Sequence, residues 1–294
     1  MDDFKPIDIR DKLIFDRFLT SDPPGTSELT FTNLFMWRVR YSPVFKIWDD
    51  LLLIILRPND RPPVGLPPVG TGNKSDALDY LAKTLAKISS RVEIARAGRD
   101  FVKMHVDQNR YQIVEDRDNS DYVYLAKDLI NLPGNRYHAK KNHVNRFVKQ
   151  YRFEYRVLDE EVAHSFLDLQ EDWCELKDCA SSDDLLHEDR AVYEALTHHK
   201  ELGFRGGAIL IDGRVEAFAL GEKLNPDTAV IHIEKANPRI PGLYAAINQQ
   251  FCAQEWSQVT YVNREQDLGL EGLRKAKLSY HPHHIVDKYI LIPK

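Results

Sequence analysis

Residues 207–236 read GAILIDGRVEAFALGEKLNPDTAVIHIEKA, and the punctuation of this stretch decides the fold class. Two apolar runs, Gly207–Ile211 and Arg214–Glu222, flank Asp212-Gly213, the strongest short-range signal for a tight hairpin. A third apolar run, Ala229–Ala236, is entered through the turn residues Asn225-Pro226-Asp227. The stretch therefore predicts three consecutive antiparallel strands.

Toward the N-terminus, FEYRV (Phe153–Val157) alternates apolar and polar as a half-buried strand does. Val162, Phe166, Leu169 and Trp173 then fall at helical spacing within 159–178, and a second helix fits 185–199. Toward the C-terminus, NPRIPG breaks the third strand and a helix fits Gly242–Trp256. Gln258–Asn263 reads as a strand, Leu270–Lys277 as a short helix and His283–Ile292 as the last strand. The predicted order is strand, two helices, three strands, helix, strand, helix, strand.

The first half repeats this order more faintly and without residue-level identity. Phe4–Ile7 is a short strand, and helices fit 9–19 and 27–38, the second capped by Thr26 or Ser27. Val44–Trp48 and Leu51–Arg57 form a hairpin across Asp49-Asp50, followed by a loop from Pro58 to Gly72 with five prolines. A helix fits 75–88, a strand Val92–Ala95, a short helix begins near Arg99, and strands fit Tyr111–Val114 and Tyr122–Leu125.

Length and composition agree with two domains. The chain has 294 residues, with apolar and charged fractions near those of ordinary globular proteins, which excludes wholesale disorder and coiled coil. The net charge of −5 argues against a dedicated nucleic-acid coat, but it hides a local reversal. From Gly134 to Arg156 there are seven basic residues and one acid, Glu154, a local charge of +6. Val144, Phe147 and Tyr151 give this junction segment one apolar stripe as a helix over about 136–151. Cys174, Cys179 and Cys252 are too sparse for a disulfide framework and lack CxxC spacing, so they read as buried small hydrophobes in a reducing, cytoplasmic setting. The acidic start MDDFKPIDIRD is no signal peptide, and LLLIIL (Leu51–Leu56) is far short of the about 20 residues of a membrane span.

The element order resembles the GNAT acyltransferase fold, here in tandem. That resemblance implies a mixed α/β fold with an N-terminal domain over 1–130 and an active C-terminal domain over 131–294. In such folds two central strands part, and the gap admits an acyl donor from one side and an acceptor from the other. The chain more specifically resembles the soluble C-terminal domain of phosphatidylglycerol lysyltransferases, which is related in fold to the Fem-type aminoacyl-tRNA transferases. The residues that carry this are SELTFTNLFMWR (Ser27–Arg38), PGNRYHAKKNHVNRF (Pro133–Phe147), IHIEKA (Ile231–Ala236), NREQDLG (Asn263–Gly269) and GLRKAKLSYHP (Gly272–Pro282). The resemblance implies transfer of an aminoacyl group from a tRNA, with no cofactor required. The acceptor is then a small molecule, peptide or lipid headgroup, reached without a transmembrane segment by peripheral contact at most. Ordinary acetyl-CoA enzymes carry a phosphate loop of the form Q/R-x-x-G-x-G/A. The matching NPRIPGLY (Asn237–Tyr244) has one glycine and two prolines, so fewer N–H groups face an acyl-CoA donor.

The residues with chemistry sit at the predicted strand ends. Glu234 and Lys235 end the third strand and point to opposite faces. Asn263, Arg264, Glu265 and Asp267 follow the next strand. Arg264 is suited to a carboxylate or phosphate and Glu265 or Asp267 to an ammonium group, while Asp267 serves equally as a helix cap. Arg274 and Lys277 share a helix face, and Tyr280 is placed as a general acid or as aromatic core. Arg239 offers a charge to a donor phosphate. Arg136, Lys140, Lys141, Arg146 and Lys149 form the anion- or nucleic-acid-binding row, which otherwise is a solvated linker helix. His281, His283 and His284 lack an acid or cysteine at ligand spacing, so no metal is expected. The rival readings are an acyl-CoA N-acyltransferase and a non-catalytic module binding RNA or an anionic surface.

Overall fold

The computed structural model describes residues 3–294, the side chains of residues 161, 177 and 181 excepted. The first half supplies β1 (Lys5–Pro6), α1 (Lys12–Ser21), α2 (Phe31–Met36), α3 (Arg38–Tyr41), β2 (Val44–Trp48), β3 (Leu51–Leu56), β4 (Val64–Gly65) and β5 (Val69–Gly70). It continues with α4 (Lys74–Ala86), β6 (Ile94–Gly98), α5 (Arg99–His105), β7 (Tyr111–Glu115) and β8 (Asp121–Leu125). After α6 (Ala126–Asn131) and α7 (His138–Gln150) come β9 (Phe153–Val157), α8 (Glu160–Lys177), α9 (Asp183–Thr197), α10 (His199–Leu202), β10 (Arg205–Ile211), β11 (Arg214–Asn225) and β12 (Thr228–Ala236). The chain ends with α11 (Leu243–Glu255), β13 (Tyr261–Asn263), α12 (Glu271–Leu278), β14 (His284–Val286) and β15 (Lys288–Pro293). The architecture is mixed α/β, with a mixed sheet in each half of the fold.

Both hairpins follow from their turns. Ile211 pairs with Arg214 across Asp212 (φ 50°) and Gly213 (φ 81°), and Trp48 pairs with Leu51 across Asp49 (φ 47°) and Asp50 (φ 58°). Two successive left-handed residues match the twist of the strands, and Asp tolerates that conformation better than most residues. Leu51–Ile55 is buried throughout because β3 has packed residues on both faces, including Leu78, Leu81 and Leu85 of α4 on one of them. In the second unit Phe166 of α8 stacks on Phe218 of β11 at 4.7 Å.

Four expectations change. The helix expected over 27–38 begins only at Phe31, where Thr30 caps it, because Ser27 gives its N–H and Oγ–H to Asp121 instead. The Pro-rich loop contributes β4 and β5 to the edge of β3; Pro67 and Pro68 lack the N–H that would make them one strand. The last strand is broken at Asp287, so that β14 and β15 enter different sheets. Cys174 and Cys179 are not free thiols. Asp178, left-handed at φ 51°, turns the chain back at the end of α8, and the two cysteines form a disulfide with Cα atoms 5.0 Å apart. The sparse-thiol reasoning for a reducing compartment therefore loses its basis. Cys252 is free and buried.

Each sheet takes a strand from the other half of the sequence. One runs β1-β2-β3-β4-β6-β15-β7, with β5 also on β3; the other runs β14-β8-β13-β12-β11-β10-β9. The compact units are therefore not consecutive, as a single cut at residue 130 would make them. The first holds residues up to Asp121 with Gln266–Leu270 and Ile285–Lys294, and the second holds Tyr122–Glu265 with Glu271–His284.

Residues 1–130 and 131–294 made separately lack β15 and β8 respectively, each an interior strand. Each fragment alone is expected to show no dispersed NMR spectrum, and co-expression to restore one. A dispersed spectrum from either fragment alone would refute this dependence.

Candidate active site

The site in the second unit begins where two strands part. β12 and β13 are parallel and share three residue pairs, ending at Val230 with Asn263, while β12 continues to Ala236. The chain after β13 is drawn to β8 instead: Arg264 N–H donates to the Tyr122 carbonyl at 2.9 Å, and Tyr122 N–H donates to the Glu265 carbonyl at 3.1 Å. Glu265 adopts a left-handed conformation (φ 57°) that turns the chain away. The side chain of Arg264 reaches back across the opening, and its Nη2 donates to Glu234 Oε1 at 3.0 Å.

Strand alternation sets what faces this opening. Glu234 lies on the face of β12 that packs against α11, and a register shift opposite Leu220 and Gly221 leaves His232 in a bulge of the same strand. Glu234 Oε2 accepts from Nδ2 of Asn248, a fully buried residue of α11, at 3.0 Å. Lys235 lies on the opposite face, with Nζ 2.9 Å from Glu188 and 3.4 Å from the centroid of the Trp173 ring. The Arg264 guanidinium sits 4.8 Å from the Tyr280 ring and 5.7 Å from that of Tyr124. Burial opposes its charge, but Glu234 beside it and the two phenols hold it firmly protonated. Burial likewise pushes the Tyr280 hydroxyl up, against the opposing pull of Arg264, so the phenol keeps its proton at neutral pH. Burial also pushes the Cys252 thiol, on the same face of α11, up to about 12.

The junction helix enters here. α7 buries Val144 and Phe147 and exposes Lys141, Arg146 and Lys149, which carry no ion-pair partner among the described residues. An open groove of about 470 Å³ runs along it, lined by Asn142, Asn145, Arg146, Lys149 and Gln150. Gly242, at φ 87° before α11, packs directly on α7: a Cβ there would lie 2.3 Å from the His143 carbonyl oxygen and 3.2 Å from Phe147 Cβ. Lys140 leaves the exposed row. Its Nζ lies 4.2 Å from the Tyr280 centroid with no ion-pair partner among the described residues, and burial together with Arg264 pushes it below the usual lysine range. The opening thus combines two cations, one carboxylate, buried phenols and an amide. Such a set holds a polar group with separated donor and acceptor ends.

Of the expected residues, Glu234, Arg264, Tyr280 and Lys140 come together, and Lys277 donates to the Arg264 carbonyl. Glu265 turns instead to His232. Asn263 is buried scaffold whose Oδ1 accepts the Glu265 N–H at 2.8 Å. Asp267 lies in the first unit, where its Oδ1 accepts the Gly269 N–H and it pairs with Arg117. Arg239 is exposed, Arg274 lies on α12, and Arg136 pairs with Asp128 at 2.7 Å. His283 and His284 lie against Tyr261. Among the described residues no cluster of His, Cys, Asp or Glu could hold a metal, and no helix is long and apolar enough to cross a membrane.

Sequence reading missed Asn248, Tyr124 and His232. Asn248 had a signal, since it lies four residues after Tyr244 and four before Cys252 on an otherwise apolar helix face. His232 is sandwiched between Glu222 at 2.9 Å and Glu265 at 2.8 Å. Burial disfavours its charge, but the two carboxylates overcome this and raise its pKa to about 10. It anchors the turn that carries Arg264.

The phosphatidylglycerol lysyltransferase C-terminal family model matches residues 23–292. The chain belongs to that family. A conserved protein of unknown function from Bacteroides thetaiotaomicron is 34% identical, with a TM-score of 0.92 over 99% of both chains. L-PGS from Bacillus licheniformis is 13% identical, with a TM-score of 0.64 over 95% of this chain and 91% of that one. FemX is 10% identical, with a TM-score of 0.60 over 99% and 97%. Family membership supports a transferase of the GNAT-like or lysyltransferase type, and L-PGS and FemX share the fold.

The His232 pKa predicts a pH signature. A raised folded pKa stabilises fully below the unfolded value of about 6.5, and the contribution fades as pH rises toward about 10. The stability lost in His232→Gln, measured by urea unfolding, is expected to be largest at pH 6 and to shrink steadily to pH 10. A difference independent of pH would refute the charged sandwich.

Proposed function

We propose that this chain transfers an aminoacyl group from an aminoacyl-tRNA to an amine or hydroxyl acceptor at Glu234, Arg264, Tyr280 and Lys140. The observation that carries the reading is the course of α7. Its exposed face is a basic row, and Lys140 of the same helix sits at the parted strands beside Arg264. A polyanion lying along Lys141, Arg146 and Lys149 would bring its end to the polar opening.

The acceptor's N–H or O–H attacks the aminoacyl ester carbonyl. The carbonyl oxygen takes negative charge, and the cations of Lys140 and Arg264 are placed to stabilise it. The proton from the acceptor passes to Glu234 or water. The ester bond breaks, and the leaving ribose oxygen takes the proton of Tyr280, whose raised pKa suits an acid better than a base. An acyl-CoA donor has less support: NPRIPG has two residues without N–H groups, and the first turn of α11 is packed on α7. A lipid-headgroup acceptor is favoured by α12, which exposes Leu273 and Leu278 beside Lys275.

Arg264→Ala is expected to abolish aminoacyl transfer across a panel of charged tRNAs. Replacing Lys141, Arg146 and Lys149 with Ala should weaken tRNA binding and lower the slope of log affinity against log salt by about 2–3. A slope unchanged by the triple replacement would remove α7 from the donor site. Stabilisation by acetyl-CoA but not by aminoacyl-tRNA would overturn the donor. Transfer that persists undiminished in Arg264→Ala would overturn the chemistry.

A further inference from the structure

One buried polar atom beside the opening has no hydrogen-bond partner among the described residues. Asn248 is fully buried in α11, and its Nδ2 is committed to Glu234 Oε2 at 3.0 Å. That bond sets the orientation of the amide, because a flipped amide would turn its carbonyl toward a carboxylate. Oδ1 is thereby aimed away from Glu234, and no donor of the protein reaches it among the described residues. A buried acceptor left unsatisfied costs about 1–3 kcal/mol, so native structures rarely keep one unless it serves a ligand or a bound water.

The groups around Asn248 narrow what the ligand is. Glu234 is acidic and makes the neighbourhood of Oδ1 favourable for a hydrogen-bond donor that carries partial or full positive charge. On the other side of Glu234 stand Arg264 and the ammonium of Lys140, which has no ion-pair partner among the described residues. These donors call for an acceptor oxygen. The site therefore asks for one molecule with N–H at one end and a carbonyl oxygen at the other.

We propose that Asn248 is the specificity residue of this site, its Oδ1 accepting the α-amino N–H of an α-amino carbonyl substrate while Lys140 and Arg264 take the carbonyl oxygen. This rests on the reading of the site as an acyl-transfer centre and names the class of acyl group it selects. An α-amino acyl unit satisfies both ends, whereas a simple acyl group leaves Oδ1 unpaired. Asn248 acts by recognition and moves no proton. Its amide also holds Glu234, so its loss is expected to lower the turnover of every acyl group as well as the discrimination between them.

The test uses small probes and no tRNA, so it is independent of the donor. The affinities of the full chain for L-alaninamide and for propanamide, which lacks only the α-amine, are measured by NMR titration. L-alaninamide is expected to bind at least about tenfold more tightly, the size of one hydrogen bond in a buried site. Asn248→Leu should bring the two affinities together, with the melting temperature reported alongside. Lys140→Met, a change on a largely exposed helix, should weaken both amides by a similar factor and keep the preference. Equal affinity of the two amides for the wild-type chain overturns the proposal, and so does a preference that survives in folded Asn248→Leu. If Asn248→Leu does not fold, the wild-type ratio and the Lys140→Met result decide alone. A preference for L-alaninamide in a chain that transfers nothing from any tRNA would leave this inference standing and sink only the donor.

Discussion

The parting of β12 and β13 is the constraint on which the rest of the second unit depends. Parallel neighbours would ordinarily pair along their whole length, since unpaired strand groups in an interior are costly. Here β8 captures the backbone of Arg264 and Glu265 by two hydrogen bonds and satisfies those groups elsewhere. The opening that results is lined by strand and helix ends, and a buried pair, Glu234 with Arg264, spans it. Desolvation makes such a pair a poor source of stability. Its value lies in preorganisation, because charges already fixed in a dry site need no rearrangement when charge develops on a substrate. His232, held between two carboxylates, fixes the turn from which Arg264 departs.

The first unit has the same device and fills it differently. Arg96 is left-handed at φ 65°, two residues past the parallel pair Gly65–Ile94, as Glu265 is two residues past Val230–Asn263. Arg96 pairs with Glu28 at 3.1 Å and with Asp116, and Glu28 also holds Lys288 at 2.6 Å. Lys288 is fully buried and reaches Asp121 at 2.6 Å as well. Every charge in that network has a protein partner, and the network ties β15 into its sheet. In the second unit the ammonium of Lys140 and the carbonyl of Asn248 lack such partners among the described residues. A self-satisfied network suits a structural half, and an incompletely satisfied one suits a binding half.

Much of the element order was legible because it is local chemistry. Asp212-Gly213 marks a hairpin by its backbone freedom, and Val162, Phe166, Leu169 and Trp173 mark a helix by their spacing. The misreadings share a cause. Ser27 looks like a helix cap, but its donors are taken by Asp121, a residue 94 positions away. Cys174 and Cys179 look unpaired by spacing, but Asp178 reverses the chain between them. Lys140 and Lys141 are adjacent in one basic run, yet one turns inward over Tyr280 and the other faces solvent. In each case the deciding partner is set by a backbone reversal or a distant segment that periodicity does not report.

The sequence alone therefore determined the class of fold, the duplication of its element order, the charge reversal at the junction and the strand ends that carry polar residues. These follow from propensity, period and charge, which act over a few residues. Only the tertiary structure decided that each sheet borrows a strand from the other half, that Glu234 and not Lys235 faces the opening, and that Asn248 and Lys140 complete the opening around Arg264. Those outcomes depend on which distant backbone groups satisfy one another, because a buried donor or acceptor is paired wherever the fold brings a partner, whatever the distance along the chain.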